Sequence, residues 1–322
     1  MEPKSLQEAI LYFADSANCR EYLVARRWPD GVECPRCGSK DVLFLEKYNR
    51  WECRGKHDAK QFTLKTGTIF EDSPIGLDKW LAALWMVCNC KNGISSWEIH
   101  RSLKVTQKSA WFMNHRIRYA LQHGSILKLG GECEVDESFI GGKARNMHID
   151  VRKRRITATG PEDKTAVFGV LERAKDGNHS SVQTKVIPDR KKKTLQAEVR
   201  AHVQAGAALY SDALLSYDGL ESDYAHHVID HAIEYVRGRV HTNGLENFWS
   251  LFKRGINGTY VSVEPFHLFR YLDEQEFRFN NRGDRENPVT DGDRFDLAVR
   301  QIVGKRLTYS ELTGKTDAER AI

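Results

Sequence analysis

Two textures of apolar and polar positions alternate along the chain. Residues 1–30 hold two apolar-periodic runs, LQEAILYFA and CREYLVARRW, which predict a short helical lead-in that stops at the turn signal Pro29-Asp30-Gly31. From Leu77 to about His123 three more runs at helical spacing are separated by brief breaks at Asn92-Gly93 and Leu103-Lys104-Val105, so this stretch predicts helices alone. After Gly130-Gly131 the period changes. ECEVDESFI, TAVFGVLE and SVQTKVIP read as strands bounded by Gly, Pro, Asp or Asn. A helix KKTLQAEVRAHVQ, a strand ALYSD, a turn or short helix SYDGL, a strand HHVIDH and a helix in HTNGLENFWSLFKRG follow. Strands interleaved with helices in this way describe an α/β layer domain. The aromatic run FHLFRYLDEQEFRFNNR predicts a helix packed on that core, to which no chemistry is assigned.

The last helix of the layer domain raises a question of its own. At about 100° per residue, Glu246, Ser250 and Lys253 fall within about 60° of one another, whereas Leu245, Phe248, Phe252 and Ile256 gather on another face. An acid in the first turn is explained either as the partner of Asn243 in an Asn-x-x-Glu capping box or as a group presented for chemistry. The helix alone leaves both open.

Composition narrows the class. With 322 residues, 40% hydrophobic and 29% charged, the chain can bury an ordinary core and fill two or three domains. No run approaches the roughly 18 apolar residues a membrane span needs, and no membrane partner is expected. MEPKSLQEAILYF lacks a cleavable apolar core, and seven cysteines at uneven spacing argue for reduced thiols, so a cytoplasmic setting is expected. A net charge of +5 suits a polyanionic partner without requiring one.

Four of the metal-binding side chain types are spaced as ligands. CPRCG places Cys34 and Cys37 in a Cys-x2-Cys knuckle, with Pro and Gly for the tight turn. After fifteen intervening residues come Cys53 and His57, in Cys-x3-His. Cys3His tetrahedral coordination is a structural Zn2+ pattern, here one ion, and a segment this small needs the metal to fold. His57 is the departure from a symmetric ribbon, where position 56 would carry the fourth ligand instead of Lys56. Cys19, Cys88, Cys90 and Cys133 are expected to pack in cores.

In the helical stretch, Ser95-Ser96-Trp97-Glu98 forms a capping-box pattern opening SWEIHRSL, and Thr106 caps the next helix, QKSAWFMNHRIRYALQ. Two helices joined by a short turn match a helix-turn-helix. The second helix carries Lys108, Arg116 and Arg118 as candidate DNA contacts. Its alternative is an ordinary packing element with solvated basic residues.

Asp136, in CEVDES, and Asp212, at the end of ALYSD, stand where strands are expected to leave the sheet, the place α/β folds keep their chemistry. With Glu246 they give two Asp separated by 75 residues and then a Glu after 33 more. Oxygen ligands with open positions suit Mg2+ or Mn2+, and two such ions about 3.5–4 Å apart can clamp the attacking and leaving oxygens of a phosphodiester. Beyond the first strand, Lys143, Arg152, Lys153, Arg154 and Arg155 are candidate phosphate contacts, as are Lys253 and Arg254 on the last helix.

RWPDGVECPRCGS, FTLKTGTIFEDSPIGLDKW, EVDESFIGGK, the SDA around the second acid and HTNGLENFWSLFKRGINGTY together resemble the bacterial insertion-sequence transposases of the DDE class that carry an N-terminal zinc ribbon, the ISXO2-like family. The likeness runs from about residue 15 to 315. It implies a ribonuclease-H-like catalytic domain with Asp136, Asp212 and Glu246 as ligands of two Mg2+ (or Mn2+) ions, and Lys253 as the positive residue two turns on. Asn243 is the alternative third ligand, since parts of the family use Asn; a carboxylate binds a hard cation better than an amide does. The resulting expectation is a lead-in over 1–31, a zinc ribbon over 32–70, a helix-turn-helix over 77–125, the catalytic domain over 130–285 and a tail over 286–322. Implied partners are double-stranded DNA, as terminal inverted repeats and target, and a second copy of the chain in the DNA complex. The rival expectation from another class is a catalytically inactive, transposase-derived DNA-binding protein; a third is a ribonuclease-H-type nuclease.

Overall fold

The computed structural model describes residues 2–122, 127–141, 148–150, 164–175, 179–229, 241–283 and 287–314. The chain divides into two compact units, Met1–Gln122 with Val289–Arg320 and His123–Pro288 with Ala321–Ile322.

In the first unit, helices α1 (Leu6–Phe13) and α2 (Ser16–Arg27) are started by Ser5 and Asp15, whose side chains accept the amides of Glu8 and Ala17. A three-stranded antiparallel ribbon follows, β1 (Val42–Leu45), β2 (Arg50–Cys53) and β3 (Gln61–Phe62), with β2 in the middle. Trp28, Trp51 and Phe62 pack edge to face and stacked against it, giving so small a sheet an apolar floor. Helix α3 (Leu77–Asn89) is buried from Trp80 to Cys88. Helices α4 (Ser96–Leu103) and α5 (Gln107–Leu121) carry the expected caps. Ser95 and Glu98 complete a reciprocal capping box, and Thr106 accepts the Ser109 amide. Between them Lys104 adopts a left-handed conformation at φ 49°, which turns the chain sharply enough to set the helices against each other.

The second unit is a five-stranded mixed sheet. Its strands are β4 (Glu132–Ile140), β5 (Thr165–Glu172), β6 (Ser181–Ile187), β7 (Ala208–Asp212) and β8 (Ala225–Ile229), in the order β6-β5-β4-β7-β8. β5 runs antiparallel to both β4 and β6, whereas β4, β7 and β8 are parallel. Period-two alternation sorts the side chains by face. Cys133, Val135, Phe168, Val170 and Leu209 meet Leu195 and Val199 of helix α6 (Lys192–His202) on one side. Val167, Leu171 and Val182 meet Leu245, Phe248, Trp249 and Phe252 of helix α7 (Asn243–Gly255) on the other, where helix α8 (Leu268–Asn280) also packs.

The stretch from Val289 joins the first unit. There helix α9 (Asp291–Arg300), capped by Thr290 and Asp293, places Phe295 among Phe13, Tyr22 and Trp85. A last short helix, α10 (Tyr309–Leu312), has its own capping box between Thr308 and Glu311.

Candidate metal and active sites

The Cys-x2-Cys turn folds as its residues dictate. The Gly38 amide donates to the Cys34 carbonyl at 2.8 Å, and Gly38 takes a φ of 71°, a conformation that suits glycine. Cys53, at the end of β2, faces that turn, and Gly55 lies so close that a Cβ there would stand 3.2 Å from its sulfur. The ligand atoms of Cys34, Cys37, Cys53 and His57 all lie within 4.8 Å of one another. Cys34 Sγ is 3.5 Å from His57 Nε2, and Cys37 Sγ is 3.6 Å from Cys53 Sγ. Zn–S bonds of about 2.3 Å at tetrahedral angles require edges of about 3.8 Å, so the donor set fits that ion. His57 Nδ1 sits 2.5 Å from the Asp58 carbonyl; a proton held there leaves Nε2 free to ligate. Burial works to raise the Cys34 thiol, but the Arg36 and Cys37 amides and the neighbouring thiols bring it down to about 7, toward the thiolate a metal needs.

The acids of the second unit stand at one level of the sheet. β4 and β7 pair in parallel at Glu134 and Tyr210, so Asp136 and Asp212, each two residues farther on, face the α7 side from adjacent strands. Asp136 does not end its strand as expected. It pairs with Gly169 in the middle of β4, which runs on to Ile140 because β5 accompanies it; the edge at this level is made by the shorter β7, which stops at Asp212. Asp136 accepts the Glu137 amide at 2.8 Å and the Trp249 indole N–H at 3.1 Å. Burial, then the carboxylates of Glu137 and Asp212, push it up to about 7. Burial pushes Glu137 up to about 7 as well, with Asp212 adding to the effect and the Tyr217 hydroxyl and Arg190 opposing it. A cluster of acids with so little compensating positive charge is a place where cations bind favourably. Among the described residues, however, the group of three or more potential metal ligands that the structure draws together is the cysteine cluster, not Asp136, Asp212 and Glu246.

The third acid rides on α7. Leu245, Phe248, Phe252 and Ile256 are buried as the periodicity requires, while Glu246, Ser250 and Lys253 are exposed together. The helix starts one residue earlier than a cap at Asn243 would have it. Thr242 is the N-cap without a side-chain cap bond and Asn243 is the first helical residue, so the Asn243–Glu246 capping box does not form. Glu246 lies three residues before Trp249, whose indole holds Asp136, on the same side of the helix. Gly169 of β5 makes room for that contact, since a Cβ there would come within 2.6 Å of the Trp249 ring.

Several site residues escaped the sequence reading. Glu134 is 1% exposed; it accepts the Leu245 amide at 3.0 Å and an Arg173 N–H at 2.8 Å. Trp249 holds Asp136 itself, while Tyr217 and Arg190 act on the neighbouring Glu137. The signal for Glu134 was present, because Glu132, Glu134 and Asp136 alternate and so share one face of β4.

Two DNA-contact candidates need correction. Arg116 is buried, and its guanidinium donates to the carbonyls of Ile69, Glu71 and Leu307; Arg118 is 1% exposed. Both belong to the interior of the first unit, since α5 buries nearly its whole length from Ala110. Lys108, Lys253 and Arg254 are exposed. Lys143, Arg152, Lys153, Arg154 and Arg155 lie outside the described residues.

A ribbon carrying a Cys3His cluster defines a metal-binding protein, and its mixed sheet sets Asp136 and Asp212 at one level of adjacent parallel strands. Comparison with known proteins makes this specific. Residues 128–280 match the ISXO2-like transposase domain and residues 14–55 the transposase zinc-ribbon domain. An uncharacterized protein in transposable element ISH50 of Halobacterium salinarum is 28% identical over 272 residues, 81% of this chain and 89% of the relative. An uncharacterized transposase-like protein of Haemophilus influenzae is 34% identical over 101 residues, 31% of this chain and 81% of the relative. The chain belongs to the ISXO2-like transposase family. Among the described residues no helix is long and apolar enough to cross a membrane.

Proposed function

We propose that the protein is a DNA transposase that binds the terminal inverted repeats of its own element and performs strand cleavage followed by strand transfer. The ribbon over 32–70 and the helix-turn-helix over 77–125 read the DNA, and the second unit is a ribonuclease-H-like catalytic domain. The observation that carries this reading is the placement of Asp136 and Asp212 at one level of adjacent parallel strands, where burial and the neighbouring carboxylates resist the ionisation of Asp136. Asp136, Asp212 and Glu246 would hold two Mg2+ ions, with Asn243 the alternative to Glu246.

Bound divalent ions would supply Lewis-acid activation of the attacking oxygen and stabilise the leaving one. Trp249 fixes the Asp136 carboxylate through its indole N–H, so one oxygen cannot rotate away. Lys253 and Arg254, on the exposed side of α7, neutralise phosphates next to the acids. In cleavage, a water oxygen bonds to phosphorus as the bond to the 3′ oxygen breaks; that oxygen takes a proton and the phosphate stays on the flanking strand. In transfer, the freed 3′ hydroxyl bonds to a target phosphorus and displaces another 3′ oxygen. Both element ends take part, which calls for at least two copies of the chain in the DNA complex.

A labelled duplex carrying the repeat that flanks the gene tests this directly. Mg2+-dependent nicking at the element end, abolished in Asp136→Asn without loss of DNA binding, is the expected result. Binding without nicking under any divalent ion, with all three acids intact, would leave the inactive DNA-binding protein as the better description.

A further inference from the structure

We infer that Glu134 and Arg173 are positioning residues for the acid site, acting through α7; this rests on the proposed role of Asp136, Asp212 and Glu246 as metal ligands. Glu134 divides its two carboxylate oxygens between different elements. Oε1 accepts from Arg173 at 2.8 Å and lies 3.5 Å from His241 Nδ1, while Oε2 accepts the Leu245 amide at 3.0 Å. That amide belongs to the first turn of α7, whose N–H groups have no partner inside the helix, and to the residue immediately before Glu246. Thr242 contributes no side-chain cap bond, so the capping carboxylate comes from a strand instead, and its charge also suits the positive end of the helix. Gly244 permits the approach: a Cβ there would stand 2.8 Å from Glu134 Oε2.

Arg173, just past β5, extends the connection. Its guanidinium donates to Glu132 at 3.1 Å and to the His241 carbonyl at 2.7 Å, and its carbon lies 4.0 Å over the Tyr210 ring. Tyr210 is two residues before Asp212, Glu134 is two before Asp136, and Leu245 is next to Glu246. One ion pair therefore touches each of the three elements that bear the acids. Glu134 is one strand repeat, about 7 Å, back from Asp136, so it sits behind the acids instead of among them. Stability alone is a weak reason to bury such a pair, since an apolar replacement of equal volume is often as stable. Holding the first turn of α7 at a fixed depth against β4 is a reason that requires these donors and acceptors.

The test uses the full chain bound to an element-end duplex, with Mn2+ binding followed by electron paramagnetic resonance and the Mg2+ dependence of nicking measured beside it. Glu134→Gln keeps an acceptor for the Leu245 amide but loses the charge facing Arg173. It should weaken Mn2+ binding about 10-fold and raise the Mg2+ concentration for half-maximal nicking in parallel, with DNA affinity unchanged. A merely structural role would lower the active fraction and leave both metal dependences in place, which would overturn the inference. If Glu134→Gln fails to fold, Arg173→Lys, which retains the cation but not the planar fork, is judged by the same two curves. Asp136→Asn is the control for the underlying reading: wild-type Mn2+ binding and nicking in that variant would remove the site itself, whatever Glu134 does.

Discussion

The two metal-binding regions solve the same problem with opposite electrostatics. In the ribbon, thiols and an imidazole can each be neutral, so the chain brings four ligand atoms within 4.8 Å of one another, and amides already draw the Cys34 thiol down to about 7. In the sheet, carboxylates are charged over most of the pH range. They are not drawn into one group of ligand atoms, and Asp136 and Glu137 are pushed up to about 7. A structural site can be closed by the fold, whereas a site that must admit DNA and ions stays open and tense. On the proposed function, the difference teaches where each metal's contribution would be spent, in folding for the first and in reactivity for the second.

The sharpest way to break this contrast is to remove one ligand from each side. On the proposed function, Asp136→Asn should lower strand nicking by at least about 1000-fold, since an essential ligand would be lost, while zinc content stays at the wild-type level and the protein still folds. Cys53→Ser should do the reverse to the ribbon. Structural zinc contributes on the order of 10 kcal/mol to such a module, so zinc content should fall and the near-ultraviolet signal of Trp51 should be lost. Retained zinc and signal would contradict the assignment of that ligand.

A third measurement sharpens the comparison through pH. The folded Asp136 carboxyl, at about 7, lies above its ordinary value of 3.8, so between these values the native state binds more protons than the unfolded chain. Stability of the metal-free protein should therefore decline as pH rises from about 4 to about 7 and level off above that. Added Mn2+ should recover part of the loss at pH 7.5, and Asp136→Asn should make the decline shallower, the remainder coming from Glu137; a metal-free melting temperature that rises across this range would contradict the electrostatic picture. The smallest effects separate packing from contact within α5. Arg116→Ala orphans three carbonyls, two of them buried, and should cost about 2–3 kcal/mol in stability, whereas Lys108→Ala should leave stability within about 0.5 kcal/mol and weaken DNA binding modestly at low salt.

Much of the architecture was legible because its signals are local. ECEVDESFI, TAVFGVLE and ALYSD became β4, β5 and β7 with the expected bounds, and the Ser95 and Thr106 caps stand where the pattern put them. What stayed hidden depends on partners distant in sequence. Arg116 reads as a surface cation until Leu307, 191 residues away, supplies a carbonyl. Helix α9 looked like a tail, although its Thr290–Asp293 capping box was readable, because its apolar residues find their partners in α1, α2 and α3. The position of Asp136 within its strand was misjudged because strand length follows from the neighbour: β5 prolongs β4 beyond the point where β7 stops.

Gly169 carries a last consequence. Trp249 rests where this strand offers only a hydrogen atom, so any larger residue would lift that end of the helix and carry Glu246 with it. A duplicated gene that drifted at this one codon would keep every acid in its sequence and lose their alignment. Surveys that sort living from fossil copies of the element by counting acidic residues would score such a copy as active.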